Sequence, residues 1–223
     1  MKISQIIKTS LGIASLFIFG LLFERALKLT DNKDAVEKSR ILYLKGSQAA
    51  EKGDYDEAVE ILSKSIKLDS TGIEPRNCLG RVLLHMERYG EAVEKLNVKT
   101  ADSETLKIRG DAYFALENYS AAFADYSGSL KISPNADAYA GLGNIFVKMS
   151  NIPEAINNYT KAIEMESGCA DYYFLRGKTF CLQGKYDEAI NDFDKALILD
   201  PDNVLYRQNR DFALSLNGPQ VCD

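Results

Sequence analysis

The chain reads as an all-α protein: a solenoid of about five repeated helix pairs closed by a C-terminal capping helix and preceded by an N-terminal membrane helix. Three observations give this reading. The stretch Gly53-Asp54-Tyr55-Asp56-Glu57-Ala58-Val59 returns almost unchanged as Gly184-Lys185-Tyr186-Asp187-Glu188-Ala189-Ile190, and self-similarity at a fixed period is the mark of a repeat architecture. An uncharged apolar run, Leu11 to Phe23, stands near the N-terminus. The 223 residues are 46% hydrophobic and 26% charged with only 5 Pro, which excludes collagen-like, low-complexity and disordered chains.

From Lys8 to Glu24 no charge interrupts the N-terminal run, and it is apolar all round instead of striped as an amphipathic helix would be. About fifteen uncharged residues at ~1.5 Å each span roughly 22 Å, short of a ~30 Å hydrocarbon core. Snorkelling of Lys8, Glu24 and Arg25, with Ile6 and Ile7 extending the run, makes up the difference. Residues 1–28 are therefore assigned to a signal-anchor or transmembrane segment that meets the membrane through residues 9–24, and 29–38 to a linker. A cleaved secretory signal is the competing reading, since Lys2 and Lys8 supply a positive n-region, but Glu24-Arg25-Ala26 makes a poor cleavage site. Lys2 and Lys8 lie on one side of the run; Arg25, Lys28, Lys33, Lys38 and Arg40 lie on the other, a count that tilts the large domain toward the cytoplasm.

Weaker copies of the motif lie between the two strong ones, at Arg88-Tyr89-Gly90-Glu91-Ala92-Val93, Asn118-Tyr119-Ser120-Ala121-Ala122-Phe123 and Asn151-Ile152-Pro153-Glu154-Ala155-Ile156. The alanines fall at 58, 92, 122, 155 and 189, and twelve residues before each stands a glycine: Gly46, Gly80, Gly110, Gly143 and Gly177. Four after each alanine comes Leu62, Leu96, Tyr126, Tyr159 or Phe193. Positions i, i+3 and i+4 share a helix face, so these residues form the seam between two antiparallel helices, with glycine and alanine at the closest approach. The expected pairs are 39–52 with 55–68, 73–86 with 89–99, 103–116 with 119–132, 136–149 with 152–165, and 170–183 with 186–199. A lone helix, 203–217, follows; its polar face, with Arg207, Asn209, Arg210 and Asp211, could shield the last repeat, and Asn217-Gly218-Pro219 stops it.

This pattern resembles the tetratricopeptide repeat (TPR), matching its small-residue, tyrosine, alanine and aromatic positions across residues 39–202, with Pro134 and Pro201 in the closing proline position. The resemblance implies a right-handed α-solenoid of units 39–72, 73–102, 103–135, 136–169 and 170–202, then the cap and a tail, 218–223. The second unit is about one turn short at Asn97-Val98-Lys99-Thr100, a shortening that either makes the joint to the third unit irregular or is absorbed by the loop.

The resemblance also implies that the first helix of each pair lines a concave groove for a protein or peptide partner, such as a chaperone or its client. The inward positions supply the candidate binding residues Tyr43, Ser47, Asn77, Arg81, Lys107, Asp111, Asn144, Lys148, Phe174 and Lys178. Asn77 and Asn144 could hydrogen-bond a peptide backbone, and Tyr43 and Phe174 offer apolar contact. The charges are mixed. A clamp for a terminal carboxylate fits poorly, because Tyr43 and Ser47 stand where it would place Lys and Asn, and Glu104 and Ile108 where basic residues belong.

Other function classes find little support. A net charge of -5 offers no broad basic surface for nucleic acid. The cysteines, Cys78, Cys169, Cys181 and Cys222, form no C-x-x-C pair, and His85 is the one histidine, so neither a zinc site nor a disulfide framework is indicated. No phosphate-binding Gly-rich loop or Gly-x-Ser-x-Gly elbow appears, and Asp56-Glu57 and Asp187-Glu188 suit the positive ends of helix dipoles. No enzyme, cofactor, metal or small-molecule substrate is expected, and the absence of His-Pro-Asp excludes a J-domain within the chain. The sequence thus reads as a membrane-tethered TPR adaptor; the alternative is a lumenal or exported holdase released by signal cleavage. Two glycosylation sequons, Asn118-Tyr119-Ser120 and Asn158-Tyr159-Thr160, bear on that choice, the first in a turn and the second inside a helix.

Overall fold

A computed structural model describes residues 32–99 and 101–217, and all the regular structure among them is helical. Helix α1 covers 32–52 of the described chain. It is followed by α2 (Tyr55–Leu68), α3 (Ile73–His85), α4 (Tyr89–Leu96), α5 (Ser103–Ala115), α6 (Tyr119–Ile132), α7 (Ala136–Lys148), α8 (Ile152–Met165), α9 (Ala170–Leu182), α10 (Tyr186–Leu199) and α11 (Val204–Asn217). The expected anchor and the tail lie outside the described residues; among those described, no helix is long and apolar enough to cross a membrane.

Two boundaries depart from the sequence expectation. Residues 32–38, assigned above to the linker, are helical, in keeping with a Lys-Asp-Ala-Val-Glu-Lys stretch that contains no Gly or Pro. Helix α4 ends at Leu96 instead of continuing to 99, and Asn97 caps it. It spans 8 residues where α2, α6, α8 and α10 each span 14. Arg109 Nη1 donates to the carbonyl of Leu96 at 3.4 Å, giving one of the C-terminal carbonyls of the short helix a partner.

The chain divides into two compact units, one up to Leu79 and one from Gly80 onward. In the first, Ser39, Gly46 and Ala49 form the buried side of α1, and Ala58, Leu62 and Ser65 that of α2. In the second, each helix from α4 to α11 packs on the next, and alternate helices also meet, α5 on α7 and α9 on α11.

Within every pair, the glycine of the first helix makes room for the bulky seam residue of the second. A β-carbon on Gly46 would lie 2.7 Å from Leu62, on Gly80 2.8 Å from Leu96, on Gly110 2.8 Å from Tyr126, on Gly143 2.6 Å from Tyr159 and on Gly177 2.8 Å from Phe193. The close approach is mainly of backbone to side chain, so the glycines serve the seam residue more than the partner backbone. Gly141 adds a second clearance for Tyr126, whose ring would lie 2.5 Å from a β-carbon there.

Each pair also turns through one left-handed residue five positions before its alanine: Gly53 at φ 85°, Glu87 at 57°, Glu117 at 59°, Ser150 at 59° and Gly184 at 71°. The next residue donates its N–H back into the first helix, as Asn118 does to Tyr113 O at 2.9 Å and Asn151 to Phe146 O at 2.8 Å, satisfying carbonyls the helix end would otherwise orphan. Three of the five turns thus use a residue with a β-carbon where glycine fits without strain.

Polar latches recur at fixed spacing. Ser39 and Ser65 exchange hydroxyl-to-carbonyl bonds at 2.9 and 2.8 Å, and Ser103 and Ser129 do the same at 3.1 and 2.7 Å. In the fourth and fifth pairs the equivalent positions are alanines, Ala136 with Ala162 and Ala170 with Ala196. Arg109 holds Asp125 through two bonds of 2.7 Å, and Arg176 holds Asp192 through two of 2.8 Å. The forked geometry suits ion pairs buried to this degree.

Helix α11 sits in the register of a sixth first helix. Its Tyr206 hydroxyl bonds Asp171 as Tyr172, one repeat earlier, bonds Asp137, and Arg210 pairs with Asp194. Its apolar packing rests on Tyr206 and Ala213; of the polar residues named above, Arg210 reaches α10 through Asp194, while Arg207 and Asn209 bond the backbone carbonyls of Pro201 and Leu205.

Gly143→Ala is expected to lower stability by about 1–3 kcal/mol through overpacking against Tyr159. Gly168→Ala, with open space around it, should leave stability within about 0.5 kcal/mol of wild type. Glu117→Gly should raise it by about 0.5–1 kcal/mol by relieving the left-handed turn. Urea unfolding of the three variants beside wild type reads all three outcomes.

Candidate partner-binding surface

The first helices of the pairs carry three clefts, one in the first unit and two in the second. Tyr43 lines the first, a space of about 360 Å³, with Val36, Arg40, Leu44, Asp69 and Pro75 among its walls. Ser47, one turn further along α1, is half-buried and outside that cleft. Asn77 is 3% exposed. It corrects the expectation of a peptide-facing amide, since so buried a side chain presents almost no surface to a ligand.

The second cleft, about 340 Å³, is lined by Arg81, Glu104, Lys107, Ile108 and Asp137, with Ser103 and Asn135 behind them. Its charges are already paired. Arg81 bonds Glu104, and Lys107 Nζ lies 3.2 Å from Asp111 and 3.1 Å from Asp137. Burial alone would lower the Lys107 pKa, but the two carboxylates outweigh it and raise the value. The same lysine sits between acids that move in opposite directions. Asp111 is pushed up, chiefly by the partial burial of its carboxylate. For Asp137 burial is the largest single influence and would raise the value, but the Tyr172 hydroxyl and Lys107 together outweigh it and leave the carboxyl below its ordinary value.

The third cleft, again about 360 Å³, brings together Asn144, Lys148 and Lys178 over Phe114, Val147, Leu175 and Leu182. Asn144 Oδ1 accepts the Tyr159 hydroxyl at 2.7 Å, much as Asp111 accepts that of Tyr126 at 2.8 Å. Lys178 Nζ stands 5.3 Å from the centre of the Phe174 ring. Phe174 itself is 6% exposed, its ring 5.8 Å from Phe193 and 4.7 Å from Tyr206. Its expected role as an apolar contact for a ligand is corrected accordingly: the ring is spent on joining α9 to α10 and α11.

Of the ten sequence candidates, six thus line clefts: Tyr43, Arg81, Lys107, Asn144, Lys148 and Lys178. Asp111 braces Lys107, and Ser47, Asn77 and Phe174 lie elsewhere. The sequence reading missed Leu182, which is 64% exposed and holds the same position in its pair as Lys148 in the one before. It also missed Val36, because α1 was expected to begin later. Cys78 is buried, and burial raises the Cys181 thiol pKa. No group of three or more His, Cys, Asp or Glu among the described residues is placed to hold a metal.

Asp137 gives the second cleft a pH signature. Its folded pKa lies below the unfolded value, so its contribution is complete above the unfolded value and is lost as pH falls through the folded one. Asp137→Asn should therefore cost less than about 1 kcal/mol at pH 7, given its exposure, and the gap to wild type should close in acid. Urea midpoints of the two proteins between pH 7 and pH 2.5 check both sign and size.

Comparison with known proteins agrees with the repeat architecture. Models described as tetratricopeptide repeat match residues 39–71, 136–169 and 170–203. DnaJ homolog subfamily C member 7 of Homo sapiens is 25% identical over 160 residues, 62% of this chain but 32% of that protein, so the chain spans no more than about a third of this curated relative. The thermophilic TPR protein TTC0263 of Thermus thermophilus shares the fold with a TM-score of 0.68 at 19% identity, over 79% of this chain and 99% of its own. MamA protein superposes with a TM-score of 0.60 at 28% identity, over 76% of this chain and 96% of its own. Residues 39–71, 136–169 and 170–203 are tetratricopeptide repeats, and the helix pairs between them are built on the same glycine seam.

Proposed function

We propose that the chain is a membrane-tethered adaptor that holds a protein or peptide partner on the first helices of its repeats. The observation that carries this reading is the pair of clefts in the second unit, both rimmed by polar side chains from successive first helices, one over Ile108 and the other over Phe114, Val147, Leu175 and Leu182. Such a surface suits an extended chain or a partner helix, which can offer backbone groups and side chains to both. The likeness to a DnaJ homolog favours a chaperone or a chaperone client as that partner. The role is one of binding, with no catalytic step assigned to any residue. The tether is the apolar run Leu11 to Phe23, crossing once, with the repeats on the cytoplasmic side by the balance of Lys and Arg around it.

A second reading, a lumenal or exported holdase, draws on Asn118. This sequon asparagine is exposed, and it caps α6 by accepting the Ala121 N–H at 3.2 Å. Asn158, by contrast, is 6% exposed, and its Nδ2 donates to Glu154 O at 2.8 Å, so a glycan there would conflict with folding.

Two measurements test the proposal. After expression in a eukaryotic cell, alkaline extraction should leave the protein in the membrane pellet, with no glycosidase shift in wild type or Asn118→Gln. A shift lost in Asn118→Gln would instead place the repeats in the lumen. A photo-crosslinking residue at position 148 should capture a protein that the same residue at exposed Lys195, on a second helix, does not; equal capture at both would count against the cleft surface.

A further inference from the structure

Resting on the cleft reading above, we infer that the cleft between α5, α7 and α9 is the seat for a peptide segment that alternates acidic and large apolar side chains. The argument begins with charge. In the second cleft the cations are compensated, Arg81 by Glu104 and Lys107 by Asp111 and Asp137. Lys148 and Lys178, both exposed, have no carboxylate partner among the described residues, although the whole chain carries a net charge of -5. Two uncompensated cations on the rim of one cleft are a site for carboxylates brought from outside.

Hydrogen-bond direction agrees. Lysine can only donate. Asn144 uses its Oδ1 on the Tyr159 hydroxyl, which leaves the Nδ2 group to donate, and Thr179, whose proton goes to Leu175 O at 2.7 Å, is only 2% exposed and presents little acceptor surface against it. The rim therefore offers mainly donors, and its ligand must supply acceptors. Lys178 is already steadied over the Phe174 ring, which lowers the entropy lost when it engages a carboxylate.

The floor fixes the rest of the ligand. Phe114, Val147, Leu175 and Leu182 offer a peptide's polar groups nothing but suit an apolar side chain, and Leu182 is left 64% exposed until something covers it. Nucleic acid and free phosphate fit poorly, since neither brings an aliphatic side chain and no arginine fork lines the cleft. The site differs from a terminal-carboxylate clamp because it asks for side-chain carboxylates flanking an apolar residue, with no requirement for a chain end.

The test measures fluorescence polarisation of the full chain in detergent with three labelled twelve-residue probes: alternating Asp and Leu, alternating Lys and Leu, and alternating Asp and Ser. The Asp-Leu probe should bind and the other two should bind at least tenfold more weakly. The double reversal K148E/K178E should weaken Asp-Leu binding about tenfold or more, Leu182→Ser about threefold or more, and Lys195→Glu, at an exposed position on the second helix α10, by less than twofold. Affinity should fall as salt rises. Both lysines are exposed, so circular dichroism should show unchanged helix content in every variant. Failure of the Asp-Leu probe to bind, equal binding of Asp-Ser, or wild-type affinity in K148E/K178E would each overturn the inference. If K148E/K178E binds normally while position 148 still crosslinks to a cellular protein, the adaptor reading survives without this subsite; loss of that crosslink as well counts against both.

Discussion

The contact between a glycine on one helix and a bulky side chain on the next is the constraint on which the other features depend. Any β-carbon at Gly46, Gly80, Gly110, Gly143 or Gly177 would meet its seam residue at under 3.0 Å, so each pair can close only where that atom is missing. The seam side chains that benefit, Leu62, Leu96, Tyr126, Tyr159 and Phe193, are at most 2% exposed. Full burial of one such side chain is worth about 1.5–3 kcal/mol. Because the seam fixes how the helices of a pair lie together, it also fixes which residues of the first helix turn away from the pair and become surface.

The seam reaches through to that surface chemically as well. Tyr126 and Tyr159 are long enough to place their hydroxyls on Asp111 and Asn144, at the position next to each seam glycine on the first helix. Burial is the first cause that raises the pKa of both phenols, so they remain neutral donors at any physiological pH. One oxygen of Asp111 and the Oδ1 of Asn144 are therefore committed before a ligand arrives. In the last pair the seam residue is Phe193, which has no hydroxyl, and the corresponding surface position is Lys178, which needs no donor. The exchange of Tyr for Phe in the core is thus matched by an exchange of acceptor for cation on the surface.

These relations explain what the sequence could and could not convey. The repeat period, the five glycines and their seam partners are local in the chain and read off directly, and with them come nearly all the helix boundaries. Helix α1 was legible too, had the lack of any breaker across 32–38 been weighed above the repeat's usual starting point. Asn77 and Phe174 were misjudged for a different reason. Position within a repeat tells which way a side chain sets out, while its final exposure depends on neighbours far along the chain, such as Tyr206 against Phe174. Glu87, Glu117 and Ser150 give no sign in the sequence of a left-handed backbone; only comparison with Gly53 and Gly184 at the same position hints at it. The pairing of Lys107 with Asp111 and Asp137 was half visible, since a separation of four residues on a helix joins the first two, but Asp137 comes from another repeat.

The end of the described stack follows from the same rule. Helix α11 keeps the tyrosine and arginine of a first helix, but Asp211 stands where the five earlier ones have glycine, and a carboxylate there denies a seam residue its seat. The helix accordingly packs backward, onto α9 and α10, and its outward positions are free to differ from those before it. They do: Leu205 and Phe212, at the positions held in α7 by Asp137 and Asn144, are 53% and 60% exposed. Along the second unit, the outward side chains of the first helices therefore pass from paired charges at Arg81, Glu104, Lys107 and Asp137, through the lysine rim of the third cleft, to apolar side chains on α11. A partner that met only charge would find the first of these sites already satisfied, whereas one carrying both carboxylates and apolar side chains gains at the sites that are not.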